Sequence, residues 1–389
     1  MVRMRGFQTR RDFLEAFIRA STSGVLLRAG AITTMLPQAL SAESQARDRR
    51  LLLIGDGDQG GGGLFTSKPP KAKAGAVMVL EKKSERWAFG RAVKTSFLPH
   101  AFCRTESGNI WTFEKWYRQA AIIDIRGGRL TKSIVLPEYQ RFFGHGACLG
   151  DKVYASIMND RTSQGQVGVF SENGHLLDFF SSGGAYPHDC QIDRRTGDIL
   201  VLNSRAHAPR SERDMYGSGA LAGRSRLVWI DPGNGRQKKA IELGNPSGGY
   251  AHFFQMDSGE LYLTGSGYES GRSISMCAKV SASGELITMK GGRLPGESLS
   301  VSVGQDKCVA MTFPGANRVL IWSGSGELLR DVPIQEARSV WWDESTSNYL
   351  VSSAGQKKLF VLDSEGKLIR GDVAKSSRLG TGSHFFVHS

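Results

Sequence analysis

The chain has 389 residues, and 50 Lys and Arg against 37 Asp and Glu give it a formal charge of +13. Its length alone would suggest two or three domains. It contains 48 Gly, and no long segment with a 3.6-residue apolar period follows residue 45, which excludes a mainly helical protein. The basic balance would indicate nucleic-acid binding in a cytoplasmic protein, but the first residues predict another compartment.

Residues 1–42 have the pattern of a twin-arginine signal peptide. Arg10 and Arg11 precede Phe13 and Leu14, and a weakly apolar segment rich in Ala, Ser, Thr and Gly follows. The segment is too short and too charged to span a membrane. The alternative is an amphipathic leader helix.

Cleavage is expected after Ser41 or Ala42. The removed segment contains six Arg, one Asp and one Glu, so the exported protein keeps a formal charge of +9. In the periplasm it would meet anionic lipids, cell-wall polymers or acidic ligands. We therefore expect no nucleic-acid partner and no transmembrane segment, and a monomer.

A unit of roughly 40 to 50 residues repeats along the rest of the chain. Each unit has four short apolar strands, and the first strand opens at a position that we call the marker. The seven markers are, in order, His100, His145, His188, His252, Ser298, Arg338 and His384. Four strands per unit, repeated around a ring, predict an all-β fold, namely a seven-bladed β-propeller.

The two ends of the chain share one unit. Residues 383–389 contain only a first strand, whereas residues 50–97 contain later strands without a first one. We therefore expect the N- and C-terminal strands to pair and close the ring. The predicted propeller spans residues 43–389 as one domain.

The five Cys of an exported chain leave at least one thiol unpaired. Cys103 and Cys148 each follow a marker His by three residues. Because strand side chains alternate between faces, this equal spacing predicts that they face different blade interfaces and do not meet. Buried free thiols are the expected state. Cys190, two residues after His188, would share the face of its His and lie nearest the site.

Five of the eight His stand at markers, which is not what random placement gives. The first strand of each blade lines the central channel of a propeller, so these side chains should converge at one mouth. We expect them to bind a ligand and, at His145, His188 and His252, a transition metal, because imidazole is the commonest metal-ligating side chain. With His100, these three would form a one-sided arc that His384 extends. The alternative is a structural girdle of hydrogen bonds to neighbouring blades.

The loop at residues 204–226 rises at the same mouth and carries further polar candidates. It contributes Arg205, His207 and Arg210 to the predicted ligand-binding set. Basic groups around a His-lined channel favour a small anionic ligand or a carboxylate-bearing periplasmic protein.

Several of these residues also resemble a known family. The leader, GHG at 144–146, YPHDC at 186–190 and NSRAHAP at 203–209 resemble exported bacterial propellers grouped as domain of unknown function 1513. The resemblance spans residues 50–389 and implies a propeller fold, export and a link to periplasmic iron handling. It also adds Asn203 to the ligand-binding set. Asp189 stands where the family motif has Glu.

Two functions follow from this pattern. The first is an exported propeller without enzymatic activity that binds a ligand, a metal or a partner protein at the His-lined mouth. The second is a metal-dependent enzyme, a lyase or oxidoreductase, that uses the same His cluster. Neither a Ser-His-Asp arrangement nor a pair of carboxylates for acid and base catalysis stands out in the sequence.

Overall fold

The computed structural model describes residues 51–57, 75–83, 86–115, 117–206, 224–244, 248–270, 272–370 and 384–388. The predicted signal peptide lies outside these residues, as do His207 and Arg210 of the predicted ligand-binding set. Among the described residues, none forms a helix with the length and apolar character needed to cross a membrane.

Strands account for nearly all of the regular structure and form seven four-stranded sheets within the described ranges. The chain begins with β1 (Leu51–Gly57), β2 (Gly75–Lys83) and β3 (Arg86–Thr95). Blade 1 follows, with β4 (Pro99–Arg104), β5 (Ile110–Glu114), β6 (Gln119–Asp124) and β7 (Arg129–Val135). Blade 2 contains β8 (Gln140–Leu149), β9 (Lys152–Asn159), β10 (Gln164–Ser171) and β11 (Leu176–Ser181).

The remaining blades repeat this antiparallel arrangement. Blade 3 contains β12 (Ala185–Ile192), β13 (Ile199–Arg205), β14 (Ser225–Ile230) and β15 (Gln237–Leu243). Blade 4 contains β16 (Gly248–Gln255), β17 (Leu261–Glu269), β18 (Arg272–Val280) and β19 (Leu286–Thr288). Blade 5 contains β20 (Val301–Val303), β21 (Val309–Phe313), β22 (Arg318–Trp322) and β23 (Leu328–Pro333). Blade 6 contains β24 (Ala337–Asp343), β25 (Asn348–Ser353), β26 (Lys358–Asp363) and β27 (Leu368–Arg370), and the last strand is β28 (Phe385–His388).

Blade 7 is built from both ends of the chain. Its strand order is β28, β1, β2, β3, with β28 innermost. Leu52 pairs with Val387 and Ile54 with Phe385 in antiparallel register. The predicted seven-bladed propeller and its closure by the terminal strands are therefore confirmed.

The core lies between neighbouring blades. Every residue of β5 is buried, because both faces of this strand pack against other blades. The outer strand β7 instead alternates between exposed positions and positions that are partly or, at Ile134, fully buried. Large aromatic side chains fill the space between blades 1 and 2, including Trp111, Phe113, Phe142 and Phe170. Such packing fixes the spacing of the inner strands that carry the markers.

Several inner strands depart from regular pairing beside their markers. Register shifts fall between Pro99 and Ala101, Phe142 and Gly146, Pro187 and Asp189, Tyr250 and His252, and Ala337 and Val340. A bulge of this kind re-aims the side chain at the irregular position. The marker side chains can therefore leave the blade face and point into the channel.

These bulges overturn the expectation that Cys103 and Cys148 lie at different interfaces. Their Sγ atoms are 2.7 Å apart, and both side chains pack in the core between blades 1 and 2. Beside His100, β4 has one residue more than β5, whereas beside His145, β8 has two residues more than β9. The two bulges differ in length by one residue, and a shift of one residue turns a strand side chain to the opposite face. Cys103 and Cys148 therefore point in different directions although each follows its His by three residues.

The expected position of Cys190 is also wrong. This thiol packs in the core between blades 2 and 3, with its Sγ 3.8 Å from the carbonyl oxygen of Tyr154. Because of the register shift beside His188, the side chains of His188 and Cys190 point in different directions. All five Cys are free thiols, and Cys148 and Cys308 are partly exposed.

Candidate metal centre

The five marker His, from five different blades, meet inside the ring of inner strands. Their ring centroids are 4.4 Å apart for His252 and His384, 4.7 Å for His145 and His384, and 5.0 Å for His100 and His145. His188 lies 4.4 Å from His252 by the same measure. The structure thus brings together all five predicted His.

The rings form a compact cluster and not the expected one-sided arc. His252 and His384 are in contact although blades 5 and 6 lie between their blades. Side chains that project inward from distant parts of a narrow ring meet near its axis, so the order of the blades does not set their separation.

Four of the five offer ligand atoms that all lie within 4.8 Å of one another: His100, His145, His252 and His384. Tetrahedral coordination with bonds of about 2 Å holds ligand atoms about 3.3 Å apart. Small rotations of the rings would therefore gather these nitrogens around one ion. This group contains two of the three predicted metal ligands, His145 and His252, and replaces the third, His188, by His100 and His384.

The ring nitrogens of the cluster lack the partners that a structural girdle would give them. Within the part of the chain that the structure describes, Nε2 of each of the five His is buried without a hydrogen-bond partner, and in His188 and His252 the same is true of Nδ1. Buried polar groups are usually hydrogen-bonded. Such a set of buried ring nitrogens is not what a girdle of hydrogen bonds to neighbouring blades would leave.

Ser298, the marker of blade 5, does behave as a girdle residue. Its hydroxyl donates to the carbonyl oxygen of Met276 at 2.8 Å and accepts the backbone N–H of Gly265 at 2.9 Å. Both partners belong to blade 4. The structural alternative therefore fits Ser298 but not the five His.

A carboxylate orients one of the His. Oδ1 of Asp189 lies 3.3 Å from Nδ1 of His145, and its Oδ2 accepts hydrogen bonds from the backbone N–H of Phe253 at 3.1 Å and the side-chain amide of Gln191 at 3.2 Å. Asp189 thereby holds Nδ1 of His145 and leaves Nε2 directed at the cluster. Carboxylate–histidine pairs of this kind fix the tautomer of metal-ligating imidazoles. In the sequence, Asp189 stands out only as a departure from the family motif.

Four imidazoles of the cluster have a lowered pKa in the folded protein. Burial, followed by the positive charge of Lys115, lowers the pKa of His100 and His188 well below its usual value. Burial also lowers the pKa of His252 and His384, with the neighbouring His as the next cause. Neutral imidazole is the form that coordinates a metal.

Three charged residues lie close enough to the cluster or to one another to interact: Lys115, Glu297 and Arg338. Burial lowers the pKa of Lys115 to about 8, while the charge of Glu297 opposes the shift. Burial raises the pKa of Glu297, and the charges of Lys115 and Arg338 oppose it. We call these three residues the charged wall.

The three residues of the charged wall lie at or next to the inner strands of the blades. Arg338 is the marker of blade 6, and Glu297 directly precedes Ser298, the marker of blade 5. Lys115 follows β5 and pairs through its backbone with Phe143, two residues before His145. Lys115 and Glu297 are not among the residues predicted from the sequence. Glu297 could have been predicted from its position directly before the marker Ser298.

The other predicted residues of the described chain, Asn203 and Arg205, lie on β13, the strand that pairs with the one carrying His188. The side-chain amide of Asn203 donates to the carbonyl oxygen of Ser182 at 2.9 Å, and its oxygen accepts the Ser182 hydroxyl at 2.6 Å, so it holds the turn before β12. The guanidinium of Arg205 lies 5.6 Å from the ring centre of Tyr186. Ligand binding by Asn203 and Arg205 stays a prediction.

The GHG segment at 144–146 has a packing explanation. Gly144 has φ +101°, and a side chain there would overlap the imidazole of His100. A side chain at Gly146 would likewise overlap Phe113. Glycine on both sides therefore lets His145 approach the strand that carries His100.

The family model described as "Protein of unknown function (DUF1513)" matches residues 117–378. The chain belongs to the DUF1513 family. The match includes His145, His188 and His252, while His100 and His384 lie beyond it. No curated protein matches this DUF1513 chain in sequence.

Solved structures of propellers resemble this DUF1513 protein. Hydrazine synthase of Kuenenia stuttgartiensis superposes with a TM-score of 0.57 at 12% identity, over 79% of this chain and 99% of that one. A protein from Lactobacillus plantarum has the same TM-score and identity, over 88% of this chain and 100% of that one. Likeness at such low identity shows the fold alone.

Proposed function

We propose that this DUF1513 protein is exported to the periplasm and binds a transition-metal ion at its His cluster. His100, His145, His252 and His384 are the ligands, and His188 packs beside them. The observation that carries this proposal is the set of five buried Nε2 atoms that share one centre without hydrogen-bond partners in the described chain.

The chemistry of the donor set supports a transition metal. Imidazole suits zinc, copper, iron and nickel, whereas magnesium and calcium prefer oxygen ligands. The lowered pKa values of His100, His252 and His384 favour the neutral form of these three ligands, and Asp189 orients His145. Iron, which the family resemblance implies, belongs to the metals that such a site accepts.

The charged wall supports a small anion as the second ligand. Lys115 and Arg338 carry positive charge against the single carboxylate of Glu297, and a bound divalent ion would add two further positive charges. Arg recognises carboxylates and oxyanions through paired hydrogen bonds. A carboxylate ligand, free or on a periplasmic protein, therefore fits this side of the centre.

A second function, a metal-dependent enzyme, is favoured by Lys115. Its pKa of about 8 lies near physiological pH, where an amine can donate and accept protons. When bound, the metal would polarise a substrate oxygen or lower the pKa of bound water. Lys115 and Glu297 would then supply proton transfer at the same mouth.

Metal analysis tests the proposal. The full chain is loaded in separate samples with Fe(II), Zn(II), Cu(II) or Ni(II), freed of excess metal, and analysed by mass spectrometry of the elements. We expect one equivalent of at least one metal in the wild type and less than a tenth of that in His252→Gln. His175→Gln is the matched control, because His175 is exposed in a turn of blade 2.

Two results would contradict the proposal: a wild type that retains none of the four metals, or a His252→Gln variant that binds as much metal as the wild type. Gln keeps the hydrogen-bonding capacity of the position, so a purely structural role would leave the variant folded and its metal content unchanged.

A further inference from the structure

Cys103 and Cys148 bring two thiols into direct contact. Their Sγ atoms are 2.7 Å apart, although the two residues are 45 positions apart in the chain. Cys103 lies in the inner strand of blade 1 and Cys148 in the inner strand of blade 2. The pair therefore bridges two neighbouring blades.

A covalent bond needs little movement at this place. A disulfide has a sulfur–sulfur distance of about 2.05 Å, so the two atoms must approach each other by less than about 1 Å. Aromatic side chains such as Trp111 and Phe142 surround the pair and hold both strands in place. Cys148 is partly exposed, whereas Cys103 is buried, so a soluble oxidant meets Cys148 first.

We propose that Cys103 and Cys148 form a disulfide that cross-links blades 1 and 2 under oxidising conditions. The Cys148 thiolate attacks the disulfide of an oxidant such as oxidised glutathione, forms a mixed disulfide and releases one thiol. The Cys103 thiolate then attacks Sγ of Cys148 and releases the second thiol. The protein loses two electrons and two protons, and the oxidant disulfide is reduced to two thiols.

The cross-link would act on the two strands that carry His100 and His145, since each Cys follows its His by three residues. It would restrict the unfolded chain and so stabilise the propeller. Burial raises the pKa of Cys103, and the second step should therefore be slow near neutral pH and faster at alkaline pH. The proposal does not depend on metal binding.

Peptide mapping tests it directly. The full chain is incubated with oxidised glutathione at pH 8 in the presence of EDTA, its remaining thiols are alkylated under denaturing conditions, and it is digested with trypsin. Residues 95–104 and 142–152 form tryptic peptides that each contain a single Cys, Cys103 or Cys148. We expect these two peptides to be joined, and three of the five Cys to be alkylated.

Matched variants separate this pair from the other thiols. Cys148→Ser should lose the joined peptide and the rise in Tm of several degrees that oxidation gives the wild type. Cys308→Ser should keep both, because Cys308 is also partly exposed but lies in another part of the core. Alkylation of all five Cys in the oxidised wild type, or a disulfide from Cys148 to Cys190, would overturn the proposal.

Discussion

Asp189 of blade 3 holds His145 of blade 2 through an Oδ1 to Nδ1 distance of 3.3 Å. The same carboxylate accepts the backbone N–H of Phe253 in blade 4, so one buried side chain ties three blades together at the candidate metal centre. Its position explains why the YPHDC segment carries an acidic residue directly after its His.

The first prediction concerns Asp189. Replacement of Asp189 by Asn removes the charge that orients His145, so we expect the metal dissociation constant to rise about 10- to 100-fold. Asp189→Glu, which restores the residue of the family motif, should recover most of the affinity. Competition with a chromophoric chelator measures both. Wild-type affinity in Asp189→Asn would show that the carboxylate does not act on the metal.

The second prediction concerns acid stability. His100, His188, His252 and His384 have lowered pKa values in the folded protein, whereas unfolding returns them to about 6.5. Below that pH the unfolded chain binds more protons than the folded one. Stability is therefore complete above about pH 6.5 and is lost as the pH falls toward the folded pKa values.

Thermal unfolding of the metal-free protein between pH 8 and pH 5 measures this effect. The fall in Tm should be smaller for His252→Gln than for the wild type, because one proton-binding group is gone. His175→Gln should follow the wild type, since His175 lies outside the cluster. Identical pH profiles for His252→Gln and the wild type would show that burial of the His cluster does not lower stability at acidic pH.

The third prediction concerns the charged wall. Lys115→Met should weaken the binding of acetate to the metal-loaded protein about tenfold, because a charged hydrogen bond is lost, and should leave metal content unchanged. Calorimetric titration with acetate measures the affinity. Lys290→Met is the control, since Lys290 is exposed and pairs with Glu327 on the surface. Equal acetate affinity in Lys115→Met and the wild type would remove Lys115 from the anion site.

The fourth prediction concerns ring closure. Deletion of residues 382–389 removes β28 and the buried side chain of Phe385 and leaves β1 without its inner partner. We expect Tm to fall by about 5 to 10 °C, although terminal residues are often expendable. Deletion of Ser389 alone is the control and should have little effect. A truncated protein with the Tm of the full chain would argue against closure by this strand.

The fifth prediction concerns export. Changing Arg10 and Arg11 to Lys should leave precursor in the cytoplasm, because the paired guanidinium groups are the specific part of the signal. Cell fractionation and immunoblotting measure this. Arg3 and Arg5 changed to Lys are the control and should not alter the distribution. Normal periplasmic yield from the Arg10 and Arg11 variant would contradict the twin-arginine route.

The sequence by itself determined the propeller, the number of blades and the closure of the ring. Each blade is specified by a short segment of sequence, namely four apolar strands with turns between them. The number of repeated marker positions gives the number of blades. The pairing of β1 with β28 followed because an incomplete unit stood at each end of the chain. Convergence of the marker His also followed, since all innermost strands of a propeller face one channel.

Only the tertiary structure decided which of these residues touch. Three contacts join different blades: His252 with His384, Asp189 with His145, and Cys103 with Cys148. The distances in these contacts depend on bulges, which turn a side chain to the other face of its strand. They also depend on how closely the aromatic side chains pack neighbouring blades. Neither quantity is encoded in the spacing of residues within a repeat, because both arise where two repeats pack.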